Sequence, residues 1–257
     1  MVDFPKIDGF HFFPHLKGRN FLLMESGKRL EACVDYCNRN RIAWVWISRY
    51  HGYAGKNLDF LAQCPSVKGV GLQDAYPDMS GIYRLPRLRM LSAGFDHRLT
   101  LSRFKHLEEL RTEWSPKIHA ELLLCVNLKY LSCRKFKSKT GDLSELERLS
   151  KLREADFSLS TIQSLDGIEH FKKLKRLEVN VCSRLREIEP VTKLAATLEE
   201  FRCDNCKNVD DKLSVTALKR LKNLTFNDDG ELPSLKFLRC RRWSLLRSWE
   251  PRFSTAI

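Results

Sequence analysis

Residues 152–173 read LREADFSLSTIQSLDGIEHFKK, and Leu174 then begins the same pattern again. Leu152, Ala155 and Phe157 hold offsets 0, +3 and +5, and Ile162, Leu165, Ile168 and Phe171 carry apolar character to the end of the segment. Side chains of a strand alternate between its two faces, so offsets +3 and +5 lie on one face and +2, +4 and +6 on the other.

The same signature recurs along most of the chain. It starts at Ile42, Val67, Leu88, Leu107, Leu128, Leu152, Leu174, Leu198, Leu221 and Leu235, with Leu107/Leu110/Thr112 a weaker copy. Apart from the short last step between Leu221 and Leu235, the spacing falls in or near the 20 to 29 residues of leucine-rich repeats, whose strand signature L-x-x-L-x-L this resembles. The 152–173 segment is similar to the 22-residue repeat of internalin-like proteins. That resemblance covers roughly residues 42–242 and implies an α/β fold: a leucine-rich-repeat solenoid shaped as a curved horseshoe, with one parallel sheet on the concave face. About ten repeats are expected, with strands centred near residues 45, 70, 91, 110, 131, 155, 177, 201, 224 and 238. The pattern departs from the family at +8, where asparagine is usual and this chain has Asp96, Ser115, Ser160, Cys182, Cys206 or Asp229.

A single repeat cannot bury its apolar face, whereas parallel strands stacked about 4.8 Å apart share one core, and both ends then need covering. Residues 1–41 are read as an N-terminal cap of strand and helix. Leu30, Cys33, Val34 and Cys37 have helical spacing there, and an aromatic stretch, Phe10 to Phe13, precedes them. Residues 42–242 carry the repeats, and residues 243–257, with Trp243 and Trp249, are read as a C-terminal cap, all in one structural domain.

Composition bounds the function. The chain has 257 residues, 43% of them hydrophobic, which suffices for a continuous core. No stretch is long and apolar enough for a membrane span, and the first residues lack the plan of a secretory signal. Nine scattered cysteines favour a reducing compartment, so the expected location is cytoplasmic. Cys203 and Cys206 have the spacing of a redox or zinc half-site, yet they occupy the +5 and +8 slots of one repeat and are read as core thiols. The seven histidines form no metal or catalytic motif, and no glycine-rich phosphate loop is present. The reading is therefore of a protein that is not an enzyme, with no catalytic residue, cofactor or metal.

The +2, +4 and +6 positions name the surface where recognition is expected. Its first zone is apolar: Trp44, Trp46 and Met90 beside Gly69 and Gly71, either an anchor for a partner or the floor beneath a folded-over N-terminus. The second is charged and net acidic, with Glu109, Glu113, Glu154, Asp156, Glu178, Glu200 and Asp204 against Arg111, Arg134, Arg176 and Arg202, and Tyr130 among them. It forms either a self-satisfied ladder of ion pairs or a field that steers a basic partner. The formal charge of +13 lies elsewhere, at +1 residues Lys68, Arg89, Lys129, Arg153, Lys175, Lys222 and Lys236 and their neighbours. The expectation is a protein-binding module acting through the concave face toward a protein with a basic patch, as an intracellular inhibitor, immunity factor or effector. The alternative is a nucleic-acid or acidic-surface binder using the basic edge. No membrane association is expected.

Overall fold

In the computed structural model, which describes residues 4–15, 18–94 and 99–227, the repeat signature becomes a stack of short parallel strands. They are β4 (Trp44–Ile47), β5 (Gly69–Leu72), β6 (Met90–Ala93), β7 (Glu109–Glu113), β8 (Tyr130–Arg134), β9 (Glu154–Ser158), β10 (Arg176–Asn180), β11 (Glu200–Asp204) and β12 (Asn223–Asn227). Each pairs in parallel with the next, in unbroken chain order and in the register that the +3 and +5 positions set: Val45, Val70, Leu91, Leu110, Leu131, Ala155, Leu177, Phe201 and Leu224 lie side by side. The chain is an open leucine-rich-repeat solenoid, and every expected strand within the described residues is present. The strand expected near 238 and the C-terminal segment 243–257 lie outside them.

Burial explains the register. The first-position leucines at 88, 128, 152, 174 and 198 are sealed in the core with the +3 and +5 side chains, so a slip of one residue would turn every core group to solvent. The return path of most repeats is a short 3₁₀ turn contributing one to three apolar residues to the same core, such as Ile82, Leu146, Ile168 and Val191. One return path is helical, α2 (Pro116–Leu122). Ser115 accepts a hydrogen bond from the Ile118 backbone N–H at 3.1 Å and Pro116 sits at the first turn, the combination that starts a helix.

The +8 slot shows what replaces asparagine. Cys182 and Cys206 are fully buried, and each thiol donates back to backbone carbonyls. Cys182 reaches Phe157 and Asn180 at 3.4 and 3.5 Å, and Cys206 reaches Val179 and Asp204 at 3.6 and 3.5 Å. Cysteines among the described residues are buried free thiols, and burial pushes those of Cys125 and Cys133 up to about 12.

At the front, β2 (Phe10–His15) and β3 (Arg19–Met24) form an antiparallel hairpin, with β1 (Lys6–Ile7) on its outer side. Strand β3 then joins the parallel sheet, pairing Leu22, Leu23 and Met24 with Val45, Trp46 and Ile47. Helix α1 (Lys28–Arg39) buries Cys33, Val34, Tyr36 and Cys37.

Candidate functional site

The open face of the sheet carries the side chains that alternation sends outward, and it divides into an aromatic end and a charged stretch. Trp44 and Trp46 are half-buried on β4, whereas Val45 and Ile47 are fully buried beneath. Both indoles lie flat on the neighbouring strand: a Cβ on Gly69 would collide with the Trp44 ring, and one on Gly71 with that of Trp46. Glycine is what lets the rings settle onto backbone here.

The hairpin covers this zone. Phe13 stacks on Trp46 with centroids 4.4 Å apart and planes at 17°, and Phe21 packs against Trp44 and Trp46 at 5.8 and 6.0 Å. The Arg19 guanidinium sits 4.3 Å over the Trp44 ring and donates to both carboxylate oxygens of Glu109 at 2.8 and 2.7 Å. Four strand steps separate β3 from β7, about 19 Å at normal spacing, so a side chain could not bridge them within the sheet. The pairing of β3 with β4 starts only at Leu22, and the hairpin end before it projects across the face. Of the alternatives for the tryptophans, the geometry is that of a floor beneath the N-terminus. Met90 is only 2% exposed and Tyr130 9%, so neither offers much surface to a partner. Burial pushes the Tyr130 phenol up to about 12.

From β7 to β11 the floor is charged and mostly paired. Glu113 meets Lys135 at 2.8 Å and Arg134 at 3.9 Å, Arg176 bridges Glu178 and Glu200, and Arg202 holds Asp204 at 2.8 Å. Arg111 lies 5.2 Å from the Tyr130 ring centre. Arg19 and Lys135, which strand alternation alone does not assign to this face, bring the zone close to neutrality. Glu154 faces the same floor, near enough to both Arg19 and Arg176 to favour their charged forms. Asp156 differs: its oxygens accept from the hydroxyls of Ser132 and Ser158 at 2.9 and 2.8 Å, and among the described residues no ion pair joins it to a cation.

The basic row at the strands' amino ends is interrupted by acids in the same +1 position. Glu108 meets Lys129 at 3.0 Å and Arg89 at 3.8 Å, and Glu199 bridges Lys175 and Lys222 at 2.9 and 2.6 Å. Hydrogen bonds from Lys222 and Lys175 hold the Glu199 carboxyl down at about 2. Lys236, counted in that row, lies outside the described residues.

A feature the periodicity did not single out is the +7 row at the strands' carboxyl ends: Trp114, Lys135, Leu159, Val181 and Asn205. Its members are adjacent, because Trp114, Lys135, Leu159 and Val181 donate backbone N–H bonds to the last strand residue of the following repeat at 2.8, 2.7, 2.8 and 2.8 Å. Lys135, Leu159, Val181 and Asn205 all have positive φ, 53° to 56°. The turn imposes that left-handed conformation, which asparagine tolerates and a β-branched valine does not. A search for apolar periodicity passes over the row; asking which side chains occupy the residue after each strand would have found it.

Among the described residues no helix is long and apolar enough to cross a membrane, and no group of three or more His, Cys, Asp or Glu could hold a metal ion. No protein-family model and no curated protein matches the chain. Solved structures do. An internalin, InlF of Listeria monocytogenes, superposes with a TM-score of 0.54 at 15% identity, over 80% of this chain and 59% of its own. The chain thus spans somewhat over half the length of that protein, and the likeness is one of fold. Internalin C2 of the same bacterium aligns at a TM-score of 0.40 with 12% identity, over 67% of this chain and 76% of its own. The functional domain of its InlJ, which includes a cysteine ladder, aligns at 0.45 with 14% identity, over 71% of this chain and 50% of its own.

Proposed function

We propose that the chain is a protein-binding module that acts through the open, concave-side face of its solenoid, chiefly the stretch from β7 to β11, toward a partner presenting a basic patch. The observation that carries this reading is Asp156. It stands in the middle of the charged floor, in register between Ser132 and Glu178, and its charge is met by two serine hydroxyls while Glu178 beside it is met by Arg176. A half-buried carboxylate with no countercharge among the described residues attracts a cation from outside, and the closed Arg176–Glu178 pair beside it limits where that cation can sit.

In this reading the aromatic end is scaffold for the hairpin and Trp44 and Trp46 support the site from below the N-terminus. Residues 1–41 serve as the N-terminal cap to the repeats of 42–242, with 243–257 at the other end. The module is not an enzyme. It works in the cytoplasm as an inhibitor, immunity factor or effector, a compartment that suits its buried free thiols. The alternative, nucleic-acid binding along the basic edge, is weakened by Glu108 and Glu199, which occupy that edge and engage its lysines.

The test is affinity capture from the source cell with the wild type and with Asp156→Lys/Glu178→Lys, followed by identification of what is retained. The reading expects proteins with basic surfaces on the wild type and their loss from the variant. Equal recovery on both would overturn it, as would recovery dominated by nucleic acid that heparin displaces.

A further inference from the structure

The +7 row at the carboxyl edge holds two apolar side chains in a conformation that costs them backbone strain. Leu159 and Val181 are adjacent, held at φ 56° and 55°, and yet 38% and 45% exposed. Each is strained in the left-handed region and still leaves about two-fifths of its surface in water. Asparagine, which tolerates that backbone, stands at the next turn of the row, Asn205. Strain held with so much apolar surface left in water marks surface used for something else. Trp114, two repeats before Leu159, is half-buried and carries the Lys137 ammonium 5.7 Å from its ring centre.

Exposed charge in the turns beside this strip includes a run of cations. Lys137, Arg184 and Lys207 are exposed in the turns that leave it. Carboxylates on the neighbouring strands and turn are engaged: Glu113 by Lys135 and Arg134, Asp204 by Arg202, and Glu145 by the backbone N–H groups of Lys139 and Thr140. We infer that the carboxyl edge from Trp114 to Val181 is a second docking surface, whose occupant is an acidic segment of a partner protein that places apolar side chains on Leu159 and Val181 and carboxylates against Lys137 and Arg184. Charge complementarity selects that occupant, since a second copy of a chain with net charge +13 would bring like charge to the same strip. This surface is opposite in sign to Asp156 and independent of it.

The test is fluorescence anisotropy with a labelled synthetic peptide of interspersed Glu and Leu, beside polyglutamate, a single-stranded oligonucleotide and phosphatidylserine vesicles. The wild type should bind the Glu/Leu peptide more tightly than the other three. Leu159→Asn/Val181→Asn should bind it about tenfold more weakly while its thermal midpoint holds or rises by about 2–4 °C, because asparagine relieves the backbone. Lys137→Glu/Arg184→Glu should lose the peptide as well. Absent binding by the wild type, unchanged binding by the Asn variant, or tighter binding of oligonucleotide or vesicles would overturn the inference.

Discussion

Asp156 and Glu199 show how differently two half-buried carboxylates are partnered on one scaffold, the first by serine hydroxyls and the second by lysines. Glu199 sits between Lys175 and Lys222 and is held at about 2, against an ordinary 4.5. A depressed carboxylate favours the folded state above its unfolded pKa, and that contribution disappears as pH falls from about 4.5 toward about 2. Carboxyl-carbon NMR titration should therefore place the Glu199 midpoint well below those of exposed glutamates, and Lys175→Met/Lys222→Met should return it to the ordinary range. A midpoint already ordinary in the wild type would remove the bridge. Gly71 is the second residue-scale test. Its Cβ would meet the Trp46 ring, which Phe13 holds from above, so Gly71→Ala should destabilise by about 1–3 kcal/mol in chemical denaturation.

At the scale of elements, the hairpin β2–β3 depends on the contact from Arg19 to Glu109. Both side chains are about a quarter exposed and the pair is bidentate, so a double-mutant cycle with Arg19→Ala and Glu109→Ala should give a coupling of about 1 kcal/mol, discounted for partial solvent screening. A coupling near zero would leave the aromatic stack alone holding the hairpin. This is also where sequence and structure diverge. Strand positions were legible because the +3 and +5 residues must be apolar wherever strands stack, and helix α1 was legible from Leu30, Cys33, Val34 and Cys37. What lies over Trp44 was not legible, since alternation assigns a side of the sheet and is silent about a segment folding back across it. The strained +7 row was missed for a different reason: Leu159 and Val181 look ordinary in composition, and only the sign of φ makes them unusual.

At the scale of the molecule, each repeat touches its neighbours and little else, so energetic effects should stay local. Leu91 and Leu177, both fully buried and four strands apart, should each cost about 2–5 kcal/mol as Leu→Ala, with the double variant additive within about 0.5 kcal/mol. The same stacking makes the open face a plate of fixed charges. If that plate serves the proposed function, the field around Asp156 draws a basic partner over a range of about 8 Å at physiological salt. The direct measurement is the association rate of a captured partner, by stopped flow at low and physiological salt. The wild-type rate should fall steeply as salt rises, and the Asp156→Lys/Glu178→Lys rate should be slower at low salt with an intact circular-dichroism spectrum. An unchanged association rate for that variant at low salt would contradict it.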